Sequence, residues 1–346
     1  MKYIHEDILL LAKEVKNLEL EKNKILITGA TGLIGALITK GFLQANTDYE
    51  CKNKIFAVCR SVEKANKVFS DFLGREDLEI IEQDITEPYC SELAVDYIIH
   101  TANPTVSAYF ISNPVETMDA IYQGSKNVLD FAKKTRVKGV VYLSSMEVFG
   151  VVDNKDDRIS EKELGYLDIG NIRSCYSEGK RLVECMCKCY AEEYEVPVKI
   201  ARLAQVFGAG VSKDENRVFA QFARSAVQGK NIVLHTKGDS IGNYCYTRDA
   251  IKAILLLLKH GEYGEAYTIV NELSTMSIAD MANLVAKQFS DGKSEVIFDI
   301  PEGNKFGYAP VTKMRLSNEK IRSLGWTPEV GMVEAYQRMI PDLLGD

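Results

Sequence analysis

The stretch YSEGK puts Tyr176 and Lys180 four residues apart, and on a helix that spacing places both side chains on one face. A tyrosine phenol with a pKa near 10 is a poor base at neutral pH. A lysine ammonium about 4 Å away, at an effective dielectric of about 20, favours the phenolate by about 4 kcal/mol. That is about three pKa units, enough to bring the phenol near 7, where it can take a proton from a hydroxyl group. Upstream, Ser144 and Ser145 end the apolar run GVVYLSS, and the ends of such strands are where parallel sheets bind their ligands. The Y-x-x-x-K spacing arises by chance often enough that it needs a second feature beside it.

That feature is KILITGATGLIGALITKGF, Lys24 to Phe42. LITG reads as a strand end and LIGALITKGF as a helix start. Gly29 suits a tight turn, Gly32 removes a side chain where backbone must approach a pyrophosphate, and Gly35 lets the helix pack close to the sheet. The free N–H groups and partial positive charge of the helix N-terminus favour a dinucleotide diphosphate. The second apolar run ends AVCRSVEK. A free ribose 2′-hydroxyl usually meets Asp or Glu there, whereas this chain offers Cys59, Arg60 and Ser61, with Lys64 one turn later. Arg60 can fork onto a 2′-phosphate, so the sequence favours NADP over NAD. Asp84, in EQDIT, either accepts from an adenine amino group or caps the following turn.

These residues need a scaffold, and the first 200 positions alternate β-rich apolar runs with helical patterns. KILIT leads to a helix reaching about Ala45, and IFAVC to one from about Val62. LEIIEQD precedes a polar turn. VDYIIHTA precedes a long helix from about Asn113 to Lys134, GVVYLSS a helix from about Cys175 to Tyr194, and VPVKIARL closes the series. Near-continuous apolar runs are strands covered on both faces. The alternation predicts an α/β fold, a doubly wound parallel (Rossmann) sheet with a smaller C-terminal substrate-binding lobe. Residues 24–205 form the dinucleotide-binding part and 206–346 the lobe, partly interleaved with it. In the lobe, helices near 217–229, 247–260, 276–288 and 331–343 are expected. Residues 1–23 read as an amphipathic helix with Ile8, Leu11, Val15 and Leu18 on one face.

The 346 residues carry a net charge of −7 without a basic stripe, which argues against nucleic-acid binding. No stretch approaches 18 apolar residues and no signal-peptide pattern is present, so a cytoplasmic, non-membrane protein is expected. The eight cysteines are then expected as free thiols. CMCKC, Cys185 to Cys189, has no nearby histidine and reads as small core residues, with no metal.

Taken together, T-G-x-x-G-x-x-G, a serine 31 residues before Y-x-x-x-K, and the closing LGWTP resemble the extended short-chain dehydrogenase/reductase superfamily. HTANPTVSAYFISNPVE, LSSMEVFG and ARLAQVFG are most similar to its nucleotide-sugar epimerases and dehydratases, over about residues 24 to 335. The resemblance implies an NAD(P)-dependent enzyme that transiently oxidises a sugar hydroxyl, at C4, by hydride transfer to nicotinamide. Tyr176 is then the base, Lys180 its electrostatic partner and a ribose ligand, and Ser145 the group orienting the reacting oxygen. Cofactor contacts are implied at Gly29, Thr31, Gly32, Leu33, Ile34, Gly35, Arg60, Asp84, Ile85, Thr101, Ala102 and Lys180, and substrate contacts at Ser145, Met146 and Gln205. Glu147 stands where dehydratases and decarboxylases of the group carry a Glu for proton removal. The alternative is that it caps the backbone after the strand.

The chain also departs from that pattern. Met146 replaces the acid often found before the Glu, Ile121 an Asn of the ordered-water relay, Gln205 an Asn facing substrate, and Gly242 an Arg gripping the nucleotide diphosphate. Arg217, Lys305 and Lys313 are candidates for that grip. Two other readings stay open: an NADPH-dependent carbonyl reductase on a non-nucleotide substrate, and a non-catalytic dinucleotide sensor. The group commonly dimerises through the long helix and the Tyr176 helix, which here carry Val115, Met118, Val128, Leu129, Leu182, Val183 and Met186. A homodimer is expected.

Overall fold

The computed structural model describes residues 2–90, 92–152, 157–302 and 311–345. Its central sheet contains β1 (Lys24–Thr28), β2 (Lys54–Cys59), β3 (Leu78–Glu82), β4 (Tyr97–His100), β5 (Gly139–Ser145), β6 (Val198–Leu203) and a closing strand, Ala266–Ile269. The spatial order is closing strand, β6, β5, β4, β1, β2, β3, and every pairing is parallel. β1, β2, β4, β5 and β6 are buried along nearly their whole length, as strands covered on both faces must be. β3 forms one edge and is half-exposed.

Helices are α1 (Lys2–Asn17), α2 (Leu33–Tyr49), α3 (Val62–Val68), α4 (Ser107–Ser112), α5 (Pro114–Thr135), α6 (Ser174–Tyr194), α7 (Val218–Val227) and α8 (Thr247–His260), followed by Ile278–Phe289, Glu319–Arg322 and Met332–Leu344. One face of the sheet packs on α2 and α8 through Phe42, Ile251 and Leu255, and α1 packs on these two helices through Leu11. The other packs on α5 and α6 through Val128, Phe131, Tyr176 and Val183. The helix expected to stop near Ala45 runs on to Tyr49 and ends where Glu50 takes a left-handed φ of 52°.

The chain leaves β1 outward to β2 and β3, then returns to β4 on the other side of β1. This reversal opens a crevice at the C-terminal ends of β1 and β4, where such sheets hold ligands. Beyond β6 the chain contributes to two bodies. α8 and the closing strand belong to the central layers. Short strands pair in twos, Gln205–Phe207 with Tyr244–Tyr246 and Ile232–Leu234 with Val296–Phe298. They pack with α7 and Met332–Leu344 around Phe207, Phe219, Tyr244 and Tyr336.

α1 buries Ile8, Leu11 and Val15, while Leu18 lies just past the helix and packs on the same core. It also buries Asp7 completely, which accepts from the Tyr246 hydroxyl and pairs with Arg248 at 2.9 Å and Arg338 at 3.4 Å. The cysteine cluster on α6 divides by helical phase. Cys187 is in the core, but Cys185 and Cys189 are exposed, which corrects the reading of all three as core residues. All eight cysteines are free thiols. Among the described residues, no helix is long and apolar enough to cross a membrane.

Candidate active site

The glycine loop leaves β1 through Gly29, whose φ of +65° favours glycine. A Cβ there would also lie 2.8 Å from the backbone of Ala102. Gly35 sits so close under the loop that a Cβ would fall 2.4 Å from the Gly29 carbonyl oxygen. Gly32 caps α2 without any side-chain hydrogen bond, so the first turn, at Leu33 and Ile34, offers its N–H groups to a ligand. Thr101 and Ala102 leave β4 beside the loop, with the Thr101 hydroxyl donating to Thr28 O at 2.6 Å and Ala102 N to Thr28 Oγ1 at 3.2 Å. Asn103 follows, and both polar atoms of its amide are buried without a partner. Burying an unpaired amide is costly. Together with a cradle that any Cβ would fill, it fits a crevice built for a polar ligand such as a dinucleotide.

Farther along the crevice, Arg60 follows β2 and is exposed to solvent. Asp84 accepts from Thr86 N at 2.9 Å and from the Thr86 hydroxyl at 2.8 Å, so it caps the turn after β3. Those bonds, with the nearby Arg60 charge, hold its carboxyl below the usual value. Ile85 packs on Gly124 of α5. His100, at the end of β4, is buried between Thr28 Oγ1 at 2.7 Å and Ser125 Oγ at 3.2 Å. Burial, aided by the Lys180 charge, pulls it down to about 3.

At the C-terminal end of β5, Ser145, Tyr176 and Lys180 come together. The Ser145 hydroxyl accepts from Glu147 N at 3.2 Å and lies near enough to the Tyr176 phenol to favour its ionised form. Lys180 is buried, its Nζ donating to Leu143 O at 2.7 Å and standing 5.7 Å from the centre of the Tyr176 ring. The ammonium is therefore turned to a backbone carbonyl. Burial pulls it down to about 7, against the opposing charge of Glu184. Burial and then the Glu147 charge push the Tyr176 phenol above its ordinary value, while Ser145, Arg173 and Arg217 pull it down. With Nζ on the Leu143 carbonyl and 5.7 Å from the ring centre, burial outweighs the charges that favour the phenolate.

Glu147 follows β5 on a single 3-10 turn, Met146–Phe149. Its carboxylate receives both arms of Arg173, at 2.8 and 2.9 Å, and the Ser177 hydroxyl at 3.2 Å. It is neither free in the crevice nor a cap on the backbone. Arg173 also donates to Ser107 Oγ at 3.1 Å and lies over Phe110, 5.4 Å from the ring centre. Phe110 in turn stacks on Tyr176, with centroids 4.3 Å apart and 9° between the planes. Sequence reasoning missed Arg173, Phe110 and Asn103. The one available signal was an arginine one turn before Tyr176.

The departures also have structural counterparts. Ile121 is fully buried and packs on Gly179, between Tyr176 and Lys180 in sequence. A Cβ at Gly242 would lie 2.4 Å from the Tyr244 hydroxyl, so that ring fills the space a larger residue would need. Met146 packs beside Val148 and Phe149. Gln205 is half-buried, its N–H donating to Asn243 O at 2.9 Å. Arg217 precedes α7, pairs with Glu215 at 2.7 Å, and lies near enough to act on the Tyr176 phenol. Lys313 is exposed, and Lys305 lies outside the described residues. A cleft of about 910 Å³ opens elsewhere, by Arg181, Glu184, Arg202 and Lys320, and none of the expected site residues lines it.

Residues 25–271 match the model of the NAD dependent epimerase/dehydratase family. The chain is 28% identical over 328 residues to UDP-glucuronic acid decarboxylase 1 of Xenopus tropicalis, covering 93% of this chain and 72% of that protein. Among solved structures, UDP-glucose 4-epimerase from Thermotoga maritima, bound to UDP-glucose, aligns with a TM-score of 0.74 at 20% identity, covering 93% of this chain and 99% of that one. The dTDP-glucose 4,6-dehydratase of Bacillus anthracis, in complex with NAD, aligns with a TM-score of 0.74 at 18% identity, covering 94% and 97%.

Proposed function

This chain belongs to the NAD dependent epimerase/dehydratase family, and on that premise we propose that it transiently oxidises the C4 hydroxyl of a nucleotide-linked sugar. The observation that carries the reading is the convergence of Ser145, Tyr176 and buried Lys180, its Nζ 5.7 Å from the phenol ring centre, at the strand end facing the glycine loop. A bound nicotinamide dinucleotide accepts the hydride and returns it, so none is consumed. Tyr176 takes the hydroxyl proton, Ser145 orients the reacting oxygen, and Lys180 holds the nicotinamide ribose. The dinucleotide lies along Gly29, Thr31, Gly32, Leu33, Ile34 and Gly35, with Thr101, Ala102 and Asn103 beneath it and Asp84 and Ile85 at its adenine end. Arg60 supports NADP over NAD. Residues 24–205 act as the dinucleotide half and 206–346 as the substrate lobe.

Met146 and Gln205 line the sugar, and Arg217 takes the diphosphate in place of an arginine at position 242. After oxidation, loss of water needs a base and an acid. Here Glu147 is tied by Arg173 and its neighbour is Met146, which supports epimerisation. The similarity to a decarboxylase, with Arg173 and Arg217 both near Tyr176, favours a second reading in which the sugar carries a carboxylate. A cytoplasmic homodimer completes the proposal. Val115, Met118 and Tyr122 of α5 and Leu182 of α6 are exposed along the helices that would pair, and light scattering of the purified chain at a monomer mass would refute it.

The reaction is tested by incubating the protein and NAD or NADP with UDP-, GDP-, CDP- and dTDP-sugars, uronic acids included, and recording mass and NMR spectra. Unchanged mass with a new NMR spectrum supports epimerisation. Loss of carbon dioxide supports the second reading, and loss of water would establish elimination. In a parallel incubation with NADPH and carbonyl compounds, stoichiometric oxidation of NADPH would replace the proposal by a carbonyl reductase. Dinucleotide binding without any turnover across the panel would leave a sensor.

A further inference from the structure

Three features that the assigned roles leave unused bear on the catalytic phenol: Arg173, Phe110 and the pairing of Glu147. Arg173 precedes α6, and its guanidinium forks onto both oxygens of Glu147, at 2.8 and 2.9 Å. It also bonds Ser107 on α4 and lies over the ring of Phe110. Phe110 is 2% exposed and stacks nearly flat on Tyr176. One side chain therefore joins the turn after β5, helix α4 and the start of α6, the three elements that surround the phenol ring. A planar fork that also stacks is a function of arginine that lysine does not reproduce.

We propose that Arg173 is a positioning residue for Tyr176, locking its ring through Phe110 and cancelling the field of the Glu147 carboxylate at its oxygen. This deepens the assignment of Tyr176 as the base and rests on it. The charged groups acting on the phenol are Glu147 from the turn after β5, Arg173 from the start of α6 and Arg217 from the start of α7. Lys180 stands on the same helix with Nζ over the ring, and Tyr142 on β5 lies under that ammonium. Glu147 is the one anion in the set of three acting on the phenol, and burial strengthens its effect. Arg173 is paired to it directly. Removing the guanidinium leaves that anion uncompensated beside the hydroxyl, and removing both charges restores the balance. The same pairing explains why Glu147 is withheld from proton removal at the sugar.

The test places 3-fluorotyrosine at position 176 alone and follows its fluorine resonance against pH in the full chain, with neither dinucleotide nor sugar added. Arg173→Gln should raise the titration midpoint by about one unit, a tenfold change in proton affinity. Glu147→Gln should lower it, and the double variant should return to within about 0.3 units of the parent, because the two opposite charges are then both gone from the phenol. Arg173→Lys keeps charge without the fork and should fall between the parent and Arg173→Gln. An unmoved midpoint in Arg173→Gln, or a double variant as high as the single one, would overturn the proposal. If Arg173→Gln does not fold, Glu147→Gln decides alone, and an unmoved or raised midpoint there is equally fatal. Since no sugar is present, a sugar panel without turnover leaves this result standing, and a failed titration leaves the panel standing.

Discussion

Replacing Tyr176 by phenylalanine removes one oxygen and keeps the ring that stacks on Phe110. Tyr176→Phe should therefore abolish turnover, while dinucleotide affinity, read by fluorescence quenching, stays within about twofold, a few tenths of a kcal/mol. An active variant would remove the base. His100 gives a second prediction at this scale, in stability. Its ring is held neutral by burial down to about 3, whereas in the unfolded chain it titrates near 6.5. Between those values the unfolded state takes a proton that the folded state refuses, so stability falls as pH falls through that window. Between pH 7 and pH 4.5 the contribution is about 2.5 kcal/mol. Urea midpoints at the two pH values should fall less in His100→Gln than in the parent; equal slopes would assign the acid sensitivity elsewhere. Tyr176, Lys180 and Ser145 were legible because helical spacing and a strand end are local signals. Arg173 on Glu147, 26 residues away, and Phe110 under Tyr176 were not. Such contacts depend on the route by which α4 and α6 are brought together. The direction of the Lys180 ammonium was equally hidden, since the Leu143 carbonyl competes for it.

For the element that joins β1 to α2, the three glycines make different demands. Gly35 sits where a Cβ would collide with the Gly29 carbonyl, and Gly29 combines a left-handed φ with the backbone of Ala102. Gly35→Val must push α2 away from the loop and should weaken dinucleotide binding at least tenfold, about 1.4 kcal/mol or more, by calorimetry. Retained affinity would mean the helix start does not hold the diphosphate. The central strands were readable because burial on both faces leaves continuous apolar runs. The half-exposed edge of β3 lies within the same pattern and gave no separate sign. α4, with six residues, is too short to show a helical period, and the paired strands of the C-terminal part have two or three residues each. No repeat can be recognised over such lengths.

The molecule as a whole is fastened by α1. Asp7 on this helix is wholly buried and joins Tyr246, Arg248 and Arg338, residues more than 230 positions away. Removing one partner from a buried pair strands the other charges, which costs about 3 to 5 kcal/mol. Asp7→Ala should lower the thermal midpoint by several degrees or more, and an unchanged midpoint would show that water reaches Arg248 and Arg338. The amphipathic period of α1 was plain in sequence. Its anchor was not, because a single acid on an apolar helix face looks like an ordinary charged residue.

The closing strand carries a consequence for synthesis. β6 is flanked on one side by β5 and on the other only by Ala266–Ile269, a segment made more than sixty residues later. While the ribosome covers that interval, the nascent chain presents an unpaired backbone edge, Val198–Leu203, on which Val198, Ile200, Ala201 and Leu203 are apolar. Such an edge recruits other strands. A chain cut short before Ala266 would keep that edge open and become not a shortened catalyst but a sticky fragment.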